Sequence, residues 1–319
     1  MYVTRPAETV IRIRGFRGMV RDMSSSWHPL QPGEPIGVVA LSGPVDSERL
    51  DAGLAVLESW GHPIVEAPNI RLRQDYLAGT DSERLAGMEE VLSSGVRWLI
   101  AARGGYGCTR LLPSLELAAL RERGVCLIGF SDVTAFLNPL AQNGGAVQVH
   151  GPMVAAGLCR RSNEERLRAL LNGELVGGTL FEFPDRSVAR PGRATGTALG
   201  GNLSLVTSLL GTPWEMDFDG SVLFLEEVGE PLYRLDRMLT HLRTSGRLRR
   251  VKALIGGSLR GCRPVSERSR AWRKLLAETA PEGAPVVVDL DFGHGAANLA
   301  FPIGVELELD TRSGRLVWS

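Results

Sequence analysis

Ser131 is the residue placed best for covalent chemistry. It stands in Gly129-Phe130-Ser131-Asp132-Val133, after the apolar run 125–128 and before a helix-like pattern that reaches Leu137. A strand, a tight turn and a helix in that order lift a serine hydroxyl above the carboxyl edge of a sheet. They also turn backbone amides toward the place where an oxyanion forms. Val133 occupies the position of the second glycine in G-x-S-x-G, so the full elbow signature is absent, and Ser-Asp after a strand is also the mark of a plain helix N-cap. A serine nucleophile needs a base, and the base needs an orienting acid. Of the five histidines, His28, His62 and His241 read as structural or surface residues. His150 closes the segment 147–150, and His294 lies between Gly293 and Gly295 after the apolar run 286–290. Flanking glycines hold a side chain at a loop tip that can approach another body closely, although a turn-forming histidine fits the same pattern. Glu226 and Glu227 end the apolar run 222–225, where a carboxylate is costly without a partner. Strand alternation puts the two on opposite faces, so one at most points to a given site. The competing reading is an ion pair with Arg234 or Arg237.

Arg103-Gly104-Gly105-Tyr106-Gly107 is the other segment with chemical potential. Backbone amides in such a turn bind an anion or donate into an oxyanion hole. It matches neither G-x-G-x-x-G nor G-x-x-x-x-G-K-[ST], which argues against a nucleotide phosphate. Cys108 beside it reads as packing, with no activating histidine nearby in sequence. H-E-x-x-H is absent and the cysteines lack zinc spacing, so neither metal nor cofactor is expected.

The elements that must position these residues alternate strand and helix. An apolar strand from Pro35 ends in Ser42-Gly43-Pro44, followed by a helix over 46–60, a strand over 64–67, a helix over 81–92 and a strand over 97–102. A helix over 109–122 and the strand 125–129 complete a doubly wound α/β pattern with a mostly parallel sheet. Ligands of such sheets sit at the carboxyl ends of strands, where Gly104 and Ser131 both fall. After a helix over 163–171, residues 173–192 turn rich in Gly, Pro and charge and read as an inter-domain linker. Beyond it, a helix over 203–210, strands at 221–226 and 251–259, helices over 231–245 and 268–280, and strands at 285–289 and 304–309 describe a smaller mixed α/β domain over 193–319. The first domain is 33–172. Residues 1–32 lack periodicity and read as a loose arm, with Met23 as a possible true start.

Size and composition agree with this division. A chain of 319 residues favours two domains. Its 44% apolar and 23% charged residues are those of a soluble globular protein. Lys plus Arg (36) balances Asp plus Glu (36), which argues against nucleic acid or an anionic membrane as partner. No stretch approaches a membrane span and the N-terminus lacks a secretory apolar core. With four unpatterned cysteines, a cytoplasmic location is expected.

Taken together, these segments resemble the LD-carboxypeptidase family of serine peptidases, which includes muramoyltetrapeptide carboxypeptidases and the microcin C immunity protein. The matching pieces are Arg103 to Gly107 with Arg110-Leu111-Leu112, Gly129 to Thr134, and His150-Gly151-Pro152. Further on they are Gly200 to Leu205, Leu223 to Arg237, Gly293-His294-Gly295, and Pro302-Ile303-Gly304. They run in family order across roughly residues 35–305. The resemblance implies a Rossmann-like N-terminal domain carrying the nucleophile Ser131 and a C-terminal domain carrying Glu226 as orienting acid and His294 as base. It also implies a homodimer, and release of the terminal D-alanine from a murein tetrapeptide at its meso-diaminopimelate bond, within peptidoglycan recycling. The oxyanion would meet the amides of Asp132 and of Gly104 or Gly105. Arg103 and Asn202 are the candidate substrate-binding residues, and His150 becomes a support of the elbow. Phe130 and Glu227 depart from the commoner Tyr and Asp of the family. Three alternatives stay open: hydrolysis of an acyl-sulfamoyl-adenylate, with Trp214 the one aromatic near Asn202; a non-catalytic sensor of peptidoglycan fragments; and a nucleotide-binding α/β protein.

Overall fold

The computed structural model describes residues 27–142 and 144–319. The reading of residues 1–26 as a loose arm, and of Met23 as a start, lies outside the described residues. Residues 27–32 are not loose. The Leu30 amide donates to the Leu171 carbonyl, and the Trp27 ring packs edge-on against Trp98 and Trp318 at 5.3 and 5.4 Å between centroids. Apolar aromatic area, not periodicity, fixes this segment.

Two sheets form the molecule. The first has the order β12-β5-β4-β3-β1-β2, with β1 Ile36–Val39, β2 Ile64–Glu66, β3 Trp98–Ala101, β4 Cys126–Gly129, β5 Gln148–His150 and β12 Phe301–Ile303. Strands β1 to β5 run parallel, and β12 closes the edge antiparallel to β5. Strands β1, β3 and β4 are short, wholly buried apolar runs, as expected where helices cover both faces of a parallel sheet. Helix α1 (Ser47–Glu58) starts on an Asp46 N-cap, and α2 (Asp81–Ser93) starts on a Thr80–Glu83 capping box, which satisfies amides that a helix start leaves unpaired. The helix expected over 109–122 is broken into α3 (Cys108–Leu111), a 3-10 turn over Leu112–Ser114 and α4 (Leu117–Glu122). Pro113 removes an amide donor in the middle of that span, which breaks the ladder.

The second sheet has eight strands in the order β6-β14-β13-β8-β9-β10-β11-β7. They are β6 Thr179–Glu182, β7 Val188–Arg190, β8 Arg193–Asn202, β9 Ser221–Val228, β10 Ala253–Arg260, β11 Val286–Val287, β13 Glu306–Asp310 and β14 Arg315–Trp318. Strands β8 to β11 are parallel, with antiparallel strands on both flanks. Residues 173–192, expected as a linker, thus contain β6 and β7, the two edge strands of this sheet. A composition rich in Gly, Pro and charge suits an edge as well as a loop. The helices here are α6 Arg161–Leu171, α7 Leu203–Ser208, α8 Leu232–Thr244 and α9 Arg268–Thr279.

One helix joins the two layers. Helix α5 (Thr134–Ala141) follows the serine turn and is buried on every side, touching β4 and β5 of the first sheet and β8 of the second. A helix that is apolar all round belongs inside a core. Its two polar positions face β8: Asn138 exchanges two hydrogen bonds with the Gly200 backbone, at 2.7 and 3.0 Å, and Thr134 Oγ1 accepts from the Asn202 amide at 3.2 Å.

Candidate active site

The chain reverses through Ser131 with φ 62°. Few non-glycine residues accept the left-handed region, and a serine held there after a strand is strained in the way that exposes its hydroxyl. Ser131 opens a 3-10 turn through Val133 that leads into α5. Gly129 is needed because a Cβ there would lie 2.9 Å from the Val133 side chain. The Asp132 carboxylate points inward, accepting from Ser42 Oγ at 2.6 Å and from the Cys108 amide at 2.9 Å, and so ties the turn to the ends of β1 and β3. Strand β2 lies on one side of β1 and β3 to β5 on the other, so this is the switch point of the sheet, where ligands of open α/β sheets bind.

His294 comes from the loop after β11 and meets Ser131: Nε2 lies 3.0 Å from Ser131 Oγ. On its far side, Nδ1 lies 2.7 Å from Glu226 Oε2, which also accepts the His294 backbone amide at 3.2 Å. Glu226 is fully buried. With Nδ1–H donating to a buried carboxylate, neutral imidazole leaves Nε2 free to accept the serine proton. Gly293, at φ 90°, is required by this contact, since a Cβ there would stand 2.4 Å from Glu226 Oε2. The Phe130 ring packs edge-on to His294 at 4.8 Å.

Glu226 and Glu227 do not separate as simple alternation suggests. Asn202, in register with Glu226 on the neighbouring strand, donates to Oε1 of both, at 3.3 Å to Glu226 and 3.0 Å to Glu227. Glu227 then accepts from the Ser204 amide and hydroxyl at 2.8 and 2.7 Å. Burial raises its pKa above the ordinary carboxylate value, an effect opposed by the Val228, Ser204 and Asn202 hydrogen bonds. Arg234 pairs instead with Glu230 at 3.2 Å, and the Arg237 guanidinium lies over Tyr233. Asn202 is itself buried and its carbonyl caps α7, so its amide holds carboxylates where a substrate contact was expected.

The glycine turn after β3 lies against the serine: a Cβ on Gly104 would be 3.0 Å from Ser131 Cβ and 3.1 Å from its Oγ. Gly104 and Gly105, with Ser131, His294 and Arg103, line a cavity of about 200 Å³. Arg103 donates to the Pro44 carbonyl at 2.9 Å, and Arg49 of α1, which no motif marks, lines the same cavity. Its first-turn position beside the Asp46 cap was the available signal. Cys108 is buried between Ser42 and the Leu41 carbonyl, and burial raises its pKa well above that of a free thiol. It therefore stays a packed thiol although it opens α3. His150 is fully buried, with both ring nitrogens unpartnered, and stacks on Phe301 at 4.8 Å. Burial lowers its pKa to about 4. Among the described residues, no group of three or more His, Cys, Asp or Glu is arranged to hold a metal ion, and no helix is long and apolar enough to cross a membrane.

A two-layer α/β protein that brings a strained serine, a histidine and a buried glutamate together at a sheet switch point has the architecture of a hydrolase. The chain matches the LD-carboxypeptidase N-terminal domain over residues 36–151 and the LD-carboxypeptidase C-terminal domain over residues 195–309. It is 32% identical over 305 residues to the murein tetrapeptide carboxypeptidase of Pseudomonas aeruginosa, covering 92% of this chain and 97% of that one. The crystal structure of muramoyltetrapeptide carboxypeptidase from Oxalobacter formigenes superposes with a TM-score of 0.75 at 28% identity, over 88% of this chain and 97% of the other. The microcin C7 self-immunity protein, known from Escherichia coli, shares the fold at a TM-score of 0.82 and 23% identity, over 91% and 97% of the two chains. The chain belongs to the LD-carboxypeptidase family, a family of carboxypeptidase-type hydrolases.

Proposed function

We propose that this protein is a serine LD-carboxypeptidase that releases the terminal D-alanine from murein tetrapeptides. The observation that carries the reading is the continuous relay Ser131 Oγ–His294 Nε2–Glu226, at 3.0 and 2.7 Å. Ser131 attacks the carbonyl of the diaminopimelate residue while His294 takes its proton, and Glu226 fixes the imidazole tautomer and stabilises the imidazolium. The tetrahedral oxyanion is met by the amides of Asp132 and of Gly104 or Gly105, and one such donor typically contributes about 3–4 kcal/mol of barrier lowering. His294 then protonates the leaving amine. Water, activated by the same histidine, releases the acyl group from Ser131.

A carboxypeptidase must also hold the free carboxylate of the leaving residue. Arg103 and Arg49, on the small cavity beside Ser131, carry the charge for it, and guanidinium–carboxylate pairing is the strong form of such a bond. The same cavity also bears Met153 and Ala156, apolar groups suited to a methyl side chain. No metal or cofactor enters this scheme. A role in peptidoglycan recycling, a cytoplasmic site of action and a homodimer go with it as further parts of the proposal.

The test is D-alanine release from L-Ala-γ-D-Glu-meso-diaminopimelate-D-Ala by wild type and by Ser131→Ala, with and without a chelator. Chelator-resistant release that falls by at least about 10⁴-fold in the mutant is expected, as for loss of a serine nucleophile. Release that survives Ser131→Ala would discard the mechanism.

A further inference from the structure

Residues 288–300, between β11 and β12, include no helix or strand, yet they carry His294 to its place. Such a segment is fixed by what its amides and side chains bind. Its neck is closed by the Leu299 amide, which donates to the Asp291 carbonyl at 2.8 Å. Inside the neck, Asn298 Oδ1 accepts from the Gly293 amide at 2.8 Å, and the next amide, that of His294, donates to Glu226. The Asn298 amide donates in turn to Asn163 Oδ1 at 2.9 Å, and Asn163 Nδ2 donates to the Gly157 carbonyl at 3.0 Å. Asn163 stands on α6, which follows β5 of the first sheet. Both asparagines are buried, in the wall of a cavity of about 730 Å³ that His294 also lines.

We propose that Asn298, braced by Asn163, is a positioning residue that fixes where the His294 ring stands relative to Ser131. Gly293, at φ 90°, turns about its backbone more freely than any other residue type, and it is the pivot on which His294 would swing. Glu226 restrains the pivot on the His294 side, and Asn298 restrains it on the other. The two restraints have different anchors. Glu226 belongs to β9 of the second sheet, whereas Asn298 hands its restraint to α6 and so to the layer that bears Ser131. Packing alone does not account for Asn298. Its Nδ2 is buried without a partner, a cost that an apolar side chain of similar size would spare. The bond from the Gly293 amide to Oδ1 is what the side chain contributes in return. Asn298 makes no hydrogen bond to the imidazole or to Ser131, so it acts through the backbone. This rests on the reading of His294 as the base of Ser131.

The test compares wild type, Asn298→Leu, Asn163→Ala and the double variant by two rates and by thermal unfolding. The first rate is phosphonylation of Ser131 by a fluorophosphonate, in which the serine oxygen bonds to phosphorus, fluoride leaves and His294 takes the proton. It needs the serine–histidine geometry and no peptide recognition. The second is D-alanine release, resolved into kcat and KM. Asn298→Leu should lower the phosphonylation rate and kcat alike, by about 10- to 100-fold, the cost of misplacing a catalytic group by around an ångström. KM should stay within about threefold, since only the reacting geometry is disturbed. Asn163→Ala leaves the Asn298 side chain in place and should lose about three- to tenfold, the worth of one neutral hydrogen bond; it carries the test if Asn298→Leu does not fold. The double variant should lose no more than about threefold beyond Asn298→Leu, because the two residues act along one chain of contacts. Folded variants with a lowered Tm and unchanged rates, or with a loss confined to KM, would overturn the positioning role even if wild type releases D-alanine normally. A wild type that is phosphonylated at Ser131, with the expected losses in the variants, but releases no D-alanine would leave that role standing and remove the carboxypeptidase reading.

Discussion

Glu226→Gln is the substitution that most directly probes the relay, because it keeps the shape and removes the charge. All the groups around Glu226 are donors: the His294 amide and Nδ1 on Oε2, and Asn202 Nδ2 on Oε1. A glutamine offers one oxygen, so its NH₂ must confront a donor on one side or the other. If it faces Asn202, the imidazole keeps its tautomer but loses the carboxylate. If it faces His294, Nδ1 must become the acceptor, Nε2 carries the proton, and Ser131 has no base. Charge centres about 4 Å apart at an effective dielectric near 20 interact by about 4 kcal/mol, which converts to about 10³-fold in rate. Adding the tautomer error, kcat for D-alanine release should fall by about 10³- to 10⁴-fold. KM should stay within about threefold, since the fully buried Glu226 lines none of the cavities along the cleft. Steady-state kinetics on protein with an unchanged thermal transition gives the answer. A kcat within tenfold of wild type, alongside an inactive Ser131→Ala, would refute Glu226 as the orienting acid.

The remaining predictions concern the scaffold around the relay. His150 is held neutral by burial, with a pKa near 4 against an ordinary 6.5, so the unfolded chain binds the extra proton first and stability is full above about pH 6.5 and declines as pH falls toward 4. His150→Phe, which keeps the stack on Phe301, should therefore shrink the stability loss between pH 7 and pH 5 by about 2 kcal/mol in urea titrations; an unchanged loss would show that this ring carries none of it. Gly293→Ala places a methyl 2.4 Å from Glu226 Oε2 at a φ of 90°, and should cost about 1–3 kcal/mol of stability with activity reduced far more than Tm; a variant of normal activity would mean that the loop has another way to present His294.

Part of this arrangement was legible from residue types alone. The buried strands of the first half follow from uninterrupted apolar runs, and residue types single out Ser131; between His150 and His294, and between Glu226 and Glu227, they leave the choice open, and the set Ser131, Glu226 and His294 comes with the family resemblance. What escaped the reading did so for physical reasons. Strand β8 contains Gly196, Gly200 and Gly201, which weaken any strand pattern; yet a Cβ on Gly200 would stand 2.0 Å from the Phe224 carbonyl oxygen and one on Gly201 2.7 Å from Thr134 Oγ1, so the glycines mark close approach. Strand β12 is three residues long and contributes to a sheet whose other strands lie 150 or more positions earlier, a pairing no local pattern encodes. The contacts of Asn202 were equally beyond a local pattern: only the pairing of β8 with β9 puts its amide between two buried carboxylates.

That pairing says what holds the relay in line. Ser131 follows β4 of the first sheet, while Glu226 lies in β9 and His294 follows β11 of the second, so their alignment depends on how the two sheets register. Helix α5 sets that register. It begins three residues after the serine, and Asn138 and Thr134 on its buried face grip Gly200 and Asn202 of β8 through hydrogen bonds of 2.7, 3.0 and 3.2 Å. Asn202 in turn holds Glu226, and Glu226 holds both the backbone and the ring of His294, which returns to Ser131. The chain of contacts is closed, and all of its members except His294 and the Ser131 hydroxyl are buried. In a low-dielectric interior, hydrogen bonds of such a ring strengthen one another and a broken member leaves its partner unsatisfied. The same bonds that dock one sheet on the other therefore hold the Ser131 hydroxyl and the His294 ring at hydrogen-bonding distance, 3.0 Å, as the proposed mechanism requires.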